Sequence, residues 1–170
     1  MLLSSCNNEL NIAENIVYKV VRILKERGWH ISFAESCTGG LVCAALVGVP
    51  DASSVLDASF VTYANEAKVK YLGVSKESIA KYGVVSEPVA YEMAEGVASA
   101  NSCEVGVAVS GIAGPTGAVP GKPVGTVCFG FFICGAVHTE TVNFGNIGRN
   151  NVREASVSHV YSRLCELLSR

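Results

Sequence analysis

One junction constrains the fold of this chain more than any other. The mostly apolar run Ile31–Ala34 leads into Glu35-Ser36-Cys37-Thr38-Gly39-Gly40, and a second apolar run, Leu41 to Val49, leads out. Together they read as strand, tight turn and helix start. Such a junction aims free backbone N–H groups and the positive end of a helix at one spot. Here that spot also receives a carboxyl, two hydroxyls and a thiol. One reading is a capped helix, with Ser36 or Thr38 as N-cap and the glycines present for close packing. The other is a reactive site. The junction alone does not choose between them.

The flanking sequence repeats the same alternation. From Glu9 to Arg27, Leu10, Ala13, Ile16, Val17, Val20, Val21 and Leu24 fall at helical spacing, and Gly28 stops the helix. Residues 1–8 read as a loose N-terminus, and residues 9–170 as one domain. Trp29–Ala34 is the first strand, and Asp51–Asp57 a connector with at most one helical turn. Ser59–Tyr63 is β-rich and predicts the second strand, followed by a helix over Asn65–Leu72. Ser75–Tyr82, closed by Gly83, is a short helix. Ser86-Glu87-Pro88 opens a longer one with a Ser cap and Pro in the first turn. Val105–Ser110 is an almost continuous apolar strand of the kind found inside a sheet. Thr126–Ile133 and Val137–Phe144, joined at Cys134-Gly135, predict a hairpin, and Arg149–Leu168 a final amphipathic helix.

Helices between the early strands and a hairpin late in the chain predict a three-layer α/β/α sandwich with a mixed five-stranded sheet. In open sheets of this class ligands lie beyond the carboxyl ends of the strands. Three stretches fall there: Glu35–Gly40, Tyr63–Lys68 and Ser110–Gly117.

Composition narrows the function classes. The chain of 170 residues is 49% hydrophobic and 16% charged. That apolar balance predicts a sheet covered on both faces, or subunits that associate, so a homo-oligomer is expected. A net charge of −2 argues against a nucleic-acid partner. The longest apolar run, Val124 to Val137, is interrupted by glycines and falls short of the ~18 residues of a membrane span. The seven cysteines form no CxxC pair and no metal-ligand spacing. They read as small core hydrophobes in a reducing compartment, hence a cytoplasmic protein without metal or cofactor.

The chemistry must therefore come from side chains at the strand ends. A Ser-His-Asp triad needs a histidine there, and His30, His138 and His159 all lie elsewhere. Glu35 and Glu66 are a possible carboxylate pair. What remains is a hydroxyl nucleophile without histidine. Ser36 sits at a helix start but needs a base. Lys68 lies at the neighbouring junction, five residues after Tyr63, and can act as a base only if burial or nearby charge lowers its pKa. The alternative for Lys68 is a solvated helix lysine, and for Tyr63 a core aromatic. Tyr63 could relay a proton or orient Lys68. Cys37 is the rival nucleophile. Gly111-Ile112-Ala113-Gly114-Pro115 suits an anion cradle of backbone N–H groups, or is simply a wide loop. Arg149, after Gly145-Asn146-Ile147-Gly148, could clamp a phosphate or carboxylate or serve as a surface charge, and Arg153 lies one helical turn on.

In chain order, these blocks form a recognisable pattern. Ala34–Gly40, Phe60–Lys68, Val85–Val89, Ser110–Pro115 and Lys122–Val127 together resemble the CinA C-terminal domain family, over about Glu9 to Leu168. The resemblance implies hydrolysis of the amide of nicotinamide mononucleotide to nicotinic acid mononucleotide and ammonia, without a metal. It implies Ser36 as nucleophile with Lys68 and Tyr63 as its catalytic partners. It also points to Glu35, Thr38, Gly39, Gly40, Gly111, Ala113, Gly114 and Arg149 for binding a small nucleotide. The family's glycine-aspartate-arginine run before the last helix is here Gly145-Asn146-Ile147-Gly148-Arg149, longer and without the acid. Two rival readings remain: a nucleotide-binding module without catalysis, and an amidase for another small carboxamide.

Overall fold

The computed structural model describes residues 16–170. The expected loose N-terminus, Cys6 and the first turns of the first helix lie outside them. In chain order the elements are α1 (residues 16–27), β1 (Ile31–Glu35), α2 (Leu41–Val47), a 3₁₀ turn (Ala52–Ser54), β2 (Leu56–Val61) and α3 (Asn65–Leu72). Then come α4 (Lys76–Tyr82), α5 (Glu87–Asn101), β3 (Val105–Gly111), β4 (Thr126–Ile133), β5 (Ala136–Asn143) and α6 (Arg149–Leu168).

The five strands form one mixed sheet in the order β2-β1-β3-β4-β5, as expected from the sequence. β1 runs parallel to both neighbours, and the β3-β4-β5 ladder is antiparallel. Alternation along the strands sorts side chains to two faces. Phe33, Val105, Val107, Val109, Phe129 and Phe131 meet α1, α2 and α6 in the main core. Ala34 and Ala108 meet α5 and Leu72 on the opposite face. There α5 lies unusually close to the sheet. A Cβ at Gly106 or Gly130 would fall within 2.3 Å of a carbonyl oxygen of α5, so a side chain at either position would push that helix off.

β1 is where the connections diverge. The chain leaves it through α2 to one neighbour, β2, then crosses through α3, α4 and α5 to the other neighbour, β3. This is the switch point at which open α/β sheets form clefts. Because β2, β1 and β3 are parallel, all three strand-end stretches named from sequence lie along one edge of the sheet.

Several local expectations are corrected. β2 spans Leu56–Val61 rather than Ser59–Tyr63. Pairing with β1 takes in Leu56 at its beginning, and the chain leaves the ladder before Tyr63. Ser86 occupies the N-cap of α5, but its hydroxyl turns back to the Gly83 carbonyl instead of capping the helix. The cysteines are not uniformly core residues. Cys37, Cys103 and Cys128 are buried, whereas Cys134, at the hairpin turn, is exposed. Among the described residues no helix is long and apolar enough to cross a membrane. The apolar run Val124–Val137 consists instead of β4 and its flanks.

Candidate active site

The turn after β1 is organised by Glu35. Its side chain is completely buried. One carboxyl oxygen accepts N–H groups of Gly40 and Val42, the other that of Cys43, at 2.9–3.1 Å. A carboxyl aimed at a helix N-terminus satisfies amides that have no intrahelical partner and complements the helix dipole. Neither Ser36 nor Thr38 caps α2; the cap position is Gly40, in a left-handed conformation, and Glu35 replaces the capping side chain. Glu35 therefore supports the turn from below and has no face open to a ligand, contrary to the expectation of a binding role. Nor does it pair with Glu66, which is exposed in the first turn of α3.

With Glu35 occupied in this way, the turn's backbone can be accounted for completely. Ser36 N–H donates to Val109 O, Gly39 N–H to Ser36 O, Leu41 N–H to Thr38 O, and Ala44 N–H to Gly40 O. Only Cys37 and Thr38 have N–H groups for which no oxygen acceptor is found among the described residues. What faces both is the Cys37 sulfur, a weak acceptor, so an oxygen brought in from outside is the stronger partner for either N–H. The helix-start amides, which looked available in the sequence, are not.

Ser36 itself is partly exposed. Its Oγ lies 3.3 Å from Lys68 Nζ, which arrives from α3. Lys68 is only 1% exposed, yet among the described residues it has no carboxylate partner. Its amine donates to the carbonyls of Thr62 at 2.7 Å and Tyr63 at 3.4 Å. Burial pushes its pKa below that of an ordinary lysine. A neutral amine has two N–H groups and one lone pair. The charged amine donates to Ser36 Oγ as its third bond; in the neutral form, with the two carbonyls taking the N–H groups, the lone pair would face the Ser36 hydroxyl. The sequence alone left a solvated Lys68 open, and the structure excludes it.

Cys37 is poorly placed to act as a nucleophile. It is buried against Gly111 and Val127, and burial raises its pKa from 9.0 to about 11. A Cβ on Gly111 would stand 3.1 Å from the Cys37 sulfur and 2.7 Å from Val127, so this glycine serves packing between β3 and the turn.

Tyr63 behaves differently from the expected relay. It is 62% exposed, and its hydroxyl accepts from Arg149 at 3.0 Å rather than meeting Ser36 or Lys68. Only its main-chain oxygen touches the lysine. Arg149 also donates to Gly114 O at 2.8 Å, tying the glycine-rich loop to Tyr63 and the start of α6. Ala113 is buried in the main core, so any contact it makes with a ligand is through its backbone. Among the described residues no acceptor is found for the N–H groups of Ala113, Gly114, Thr116 or Gly117. Thr38 is buried, and its hydroxyl has no partner there either. Gly39 is exposed on the outside of the turn. The histidines lie apart from this edge: His30 pairs with Asp57 and His159 with Glu140.

Arg153 was not placed in the site from sequence. It reaches from the first turns of α6 to Cys37 O at 3.1 Å and Thr38 O at 3.0 Å, on the turn that carries Ser36. The only prior signal was its position one helical turn beyond Arg149.

This geometry can be compared with that of known proteins. A model of the CinA C-terminal domain matches residues 13–168. The chain belongs to the CinA C-terminal domain family. A CinA-like protein of Kosmotoga olearia is 45% identical over 140 residues, which is 82% of this chain and 34% of that protein. A protein of Enterobacter agglomerans named nicotinamide-nucleotide amidohydrolase PncC is 53% identical over 108 residues, covering 64% of this chain and 66% of that protein. Among solved structures, the competence/damage inducible protein CihA of Agrobacterium tumefaciens superposes with a TM-score of 0.89 at 37% identity. It covers 93% of this chain and 96% of that one. The chain spans about a third of the length of its CinA-like relatives, as with the Kosmotoga protein. The resemblance read from the five sequence blocks, and the α/β fold predicted from the order of elements, agree with these matches.

Proposed function

We propose that the chain is an amidohydrolase with a Ser36–Lys68 dyad, and that its substrate is the carboxamide of nicotinamide mononucleotide. The observation that carries the reading is the buried Lys68 amine. Among the described residues it has no acid partner, and two main-chain carbonyls and the Ser36 hydroxyl lie within hydrogen-bond distance. A lysine desolvated in this manner is suited to act as a general base.

In the proposed sequence neutral Lys68 takes the Ser36 proton as Oγ bonds to the carboxamide carbon. The N–H groups of Cys37 and Thr38 receive the developing oxyanion. Preorganised donors of this kind are worth about 3–4 kcal/mol each in other hydrolases. Lys68 then returns the proton to the leaving nitrogen as the C–N bond breaks, releasing ammonia and an acyl-serine. Water, deprotonated by Lys68, attacks the acyl carbon; Lys68 returns that proton to Ser36 Oγ as the acyl C–O bond breaks, and the acid product leaves and ionises. Tyr63 acts through its carbonyl, which holds Lys68, and through a hydroxyl presented with Arg149 at the rim. The substrate phosphate is received by the backbone amides of Ala113, Gly114, Thr116 and Gly117 and by Arg149. The name of the Enterobacter agglomerans relative supports the choice of amide.

The test is ammonia release from nicotinamide mononucleotide by the wild type and by Ser36→Ala. Release by the wild type alone is expected. Equal release by the variant eliminates Ser36 as nucleophile. Binding of the mononucleotide without ammonia favours a non-catalytic module, and release from other small carboxamides only would redirect the substrate.

A further inference from the structure

We infer that Arg153 is a positioning residue for the oxyanion site, holding the peptide planes that aim the Cys37 and Thr38 N–H groups at the reacting carbonyl. The inference rests on the serine-hydrolase reading and adds to it a side chain that touches neither nucleophile nor base.

The argument follows from peptide geometry. In a trans peptide the C=O of one residue and the N–H of the next point in opposite directions. Arg153 Nε donates to Cys37 O at 3.1 Å, which fixes the plane that carries the Thr38 N–H. Arg153 Nη2 donates to Thr38 O at 3.0 Å, and the Gly39 N–H of that same plane donates to Ser36 O. The Ser36 carbonyl, held by Gly39, in turn fixes the plane that carries the Cys37 N–H. Three consecutive peptide units are thus locked, and the two N–H groups among them that lack an oxygen acceptor, and face only the Cys37 sulfur, belong to the residues directly after Ser36. Asn150 Oδ1 accepts from Nη1 at 3.1 Å and steadies the guanidinium.

Charge adds to geometry. A guanidinium on the carbonyl oxygen draws electron density along the peptide and strengthens the N–H at its other end as a donor. Arg153 is partly buried, so water screens this effect less than at a free surface. No other side chain among the described residues donates to either carbonyl; the only further contact is the Leu41 N–H on Thr38 O. Lysine cannot replace the two-pronged contact, because a point ammonium lacks the planar fork.

The experiment compares wild type, Arg153→Lys and Arg153→Met by two readouts. The first is steady-state ammonia release from nicotinamide mononucleotide. The second is the rate at which Ser36 is labelled by a fluorophosphonate, followed by intact mass; it also builds charge on an oxygen but needs no nucleotide recognition. Loss of about 100-fold in kcat with KM nearly unchanged is expected for Arg153→Met, on the scale of removing an oxyanion donor. Labelling should slow in parallel, with Arg153→Lys between the two. If Arg153→Met fails to fold, judged by circular dichroism, Arg153→Lys carries the test by the same split between kcat and KM. A folded variant that labels and turns over at the wild-type rate, or that changes KM alone, overturns the role of Arg153. A wild type that neither labels nor releases ammonia overturns the dyad reading itself. Labelling without ammonia release removes the substrate and leaves Arg153 to be judged on labelling alone.

Discussion

The two strand-to-helix junctions, 35–40 and 61–68, look alike in sequence: a β-rich run, a few polar residues, then a helix. They are built in opposite ways. At the first, the acid is buried beneath the turn, its oxygens consumed by helix amides, and the small residues Ser36 and Gly39 face outward. At the second, the acid Glu66 is in solvent and the base Lys68 is buried. The difference lies in what each side chain can find below the turn. Glu35 meets unpaired N–H groups, which suit a carboxyl; Lys68 meets the unpaired carbonyls of Thr62 and Tyr63, which suit an amine. A scaffold turn that presents Ser36 therefore stands beside a delivery turn that presents Lys68, the nucleophile and base of the proposed reaction.

The contrast breaks most sharply at the nucleophile. Ser36→Ala should lower ammonia release by roughly 10⁴–10⁶-fold while leaving thermal stability close to that of the wild type, measured by steady-state kinetics and a melting curve. Lys68→Met comes next, with an expected loss of about 10²–10⁴-fold in kcat, the usual range for a general base. The same lysine sets the pH dependence. Its folded pKa lies below the 10.5 of a free lysine, so activity rises with pH through that lowered value, and Lys68→Met removes the limb. The sign for stability is the same. The unfolded chain holds the proton to higher pH, so the native state gains stability as pH rises from the lowered pKa towards 10.5. Urea titrations across that range, wild type against Lys68→Met, would show the slope vanish.

Glu35→Gln tests the scaffold side. An amide nitrogen would face N–H donors, and one of the caps would be lost. A loss of about 1–3 kcal/mol in unfolding free energy is expected by urea denaturation, with the remaining activity tracking the folded fraction. The smallest effect belongs to Tyr63→Phe, which removes one exposed hydrogen bond to Arg149 and leaves the backbone carbonyl on Lys68 intact. A change of less than ~10-fold, mainly in KM, is expected. A loss as large as that of Lys68→Met would return the Tyr63 hydroxyl to the chemistry.

Most of the fold was legible because its signals are local. Helical spacing in α5 and α6, the apolar run of β3 and the hairpin turn at Cys134-Gly135 each declare an element within a window of its own residues. The miss at β2 has a tertiary cause. Leu56 and Asp57 carry no clear strand signal, and only the β1 partner extends the ladder there. Ser36 and Lys68 were legible as candidates because the order of elements puts both at strand-to-helix junctions on one sheet edge, and because the family pattern matches both. Arg153 was not, because its carbonyl targets lie 115 and 116 residues earlier in the chain.

The sequence by itself therefore determined the order of elements, the three polar strand ends and the family pattern that joins them, since all are written in local spacing and residue type. Only the tertiary structure decided what each polar group meets. Glu35 became a buried cap rather than a ligand contact, Cys37 a buried packing residue, Tyr63 a partner of Arg149, and Lys68 a desolvated amine on Ser36. Those roles depend on which donors remain unpaired once the sheet is assembled. Hydrogen-bond balance of that kind is a property of the whole fold and of no single segment.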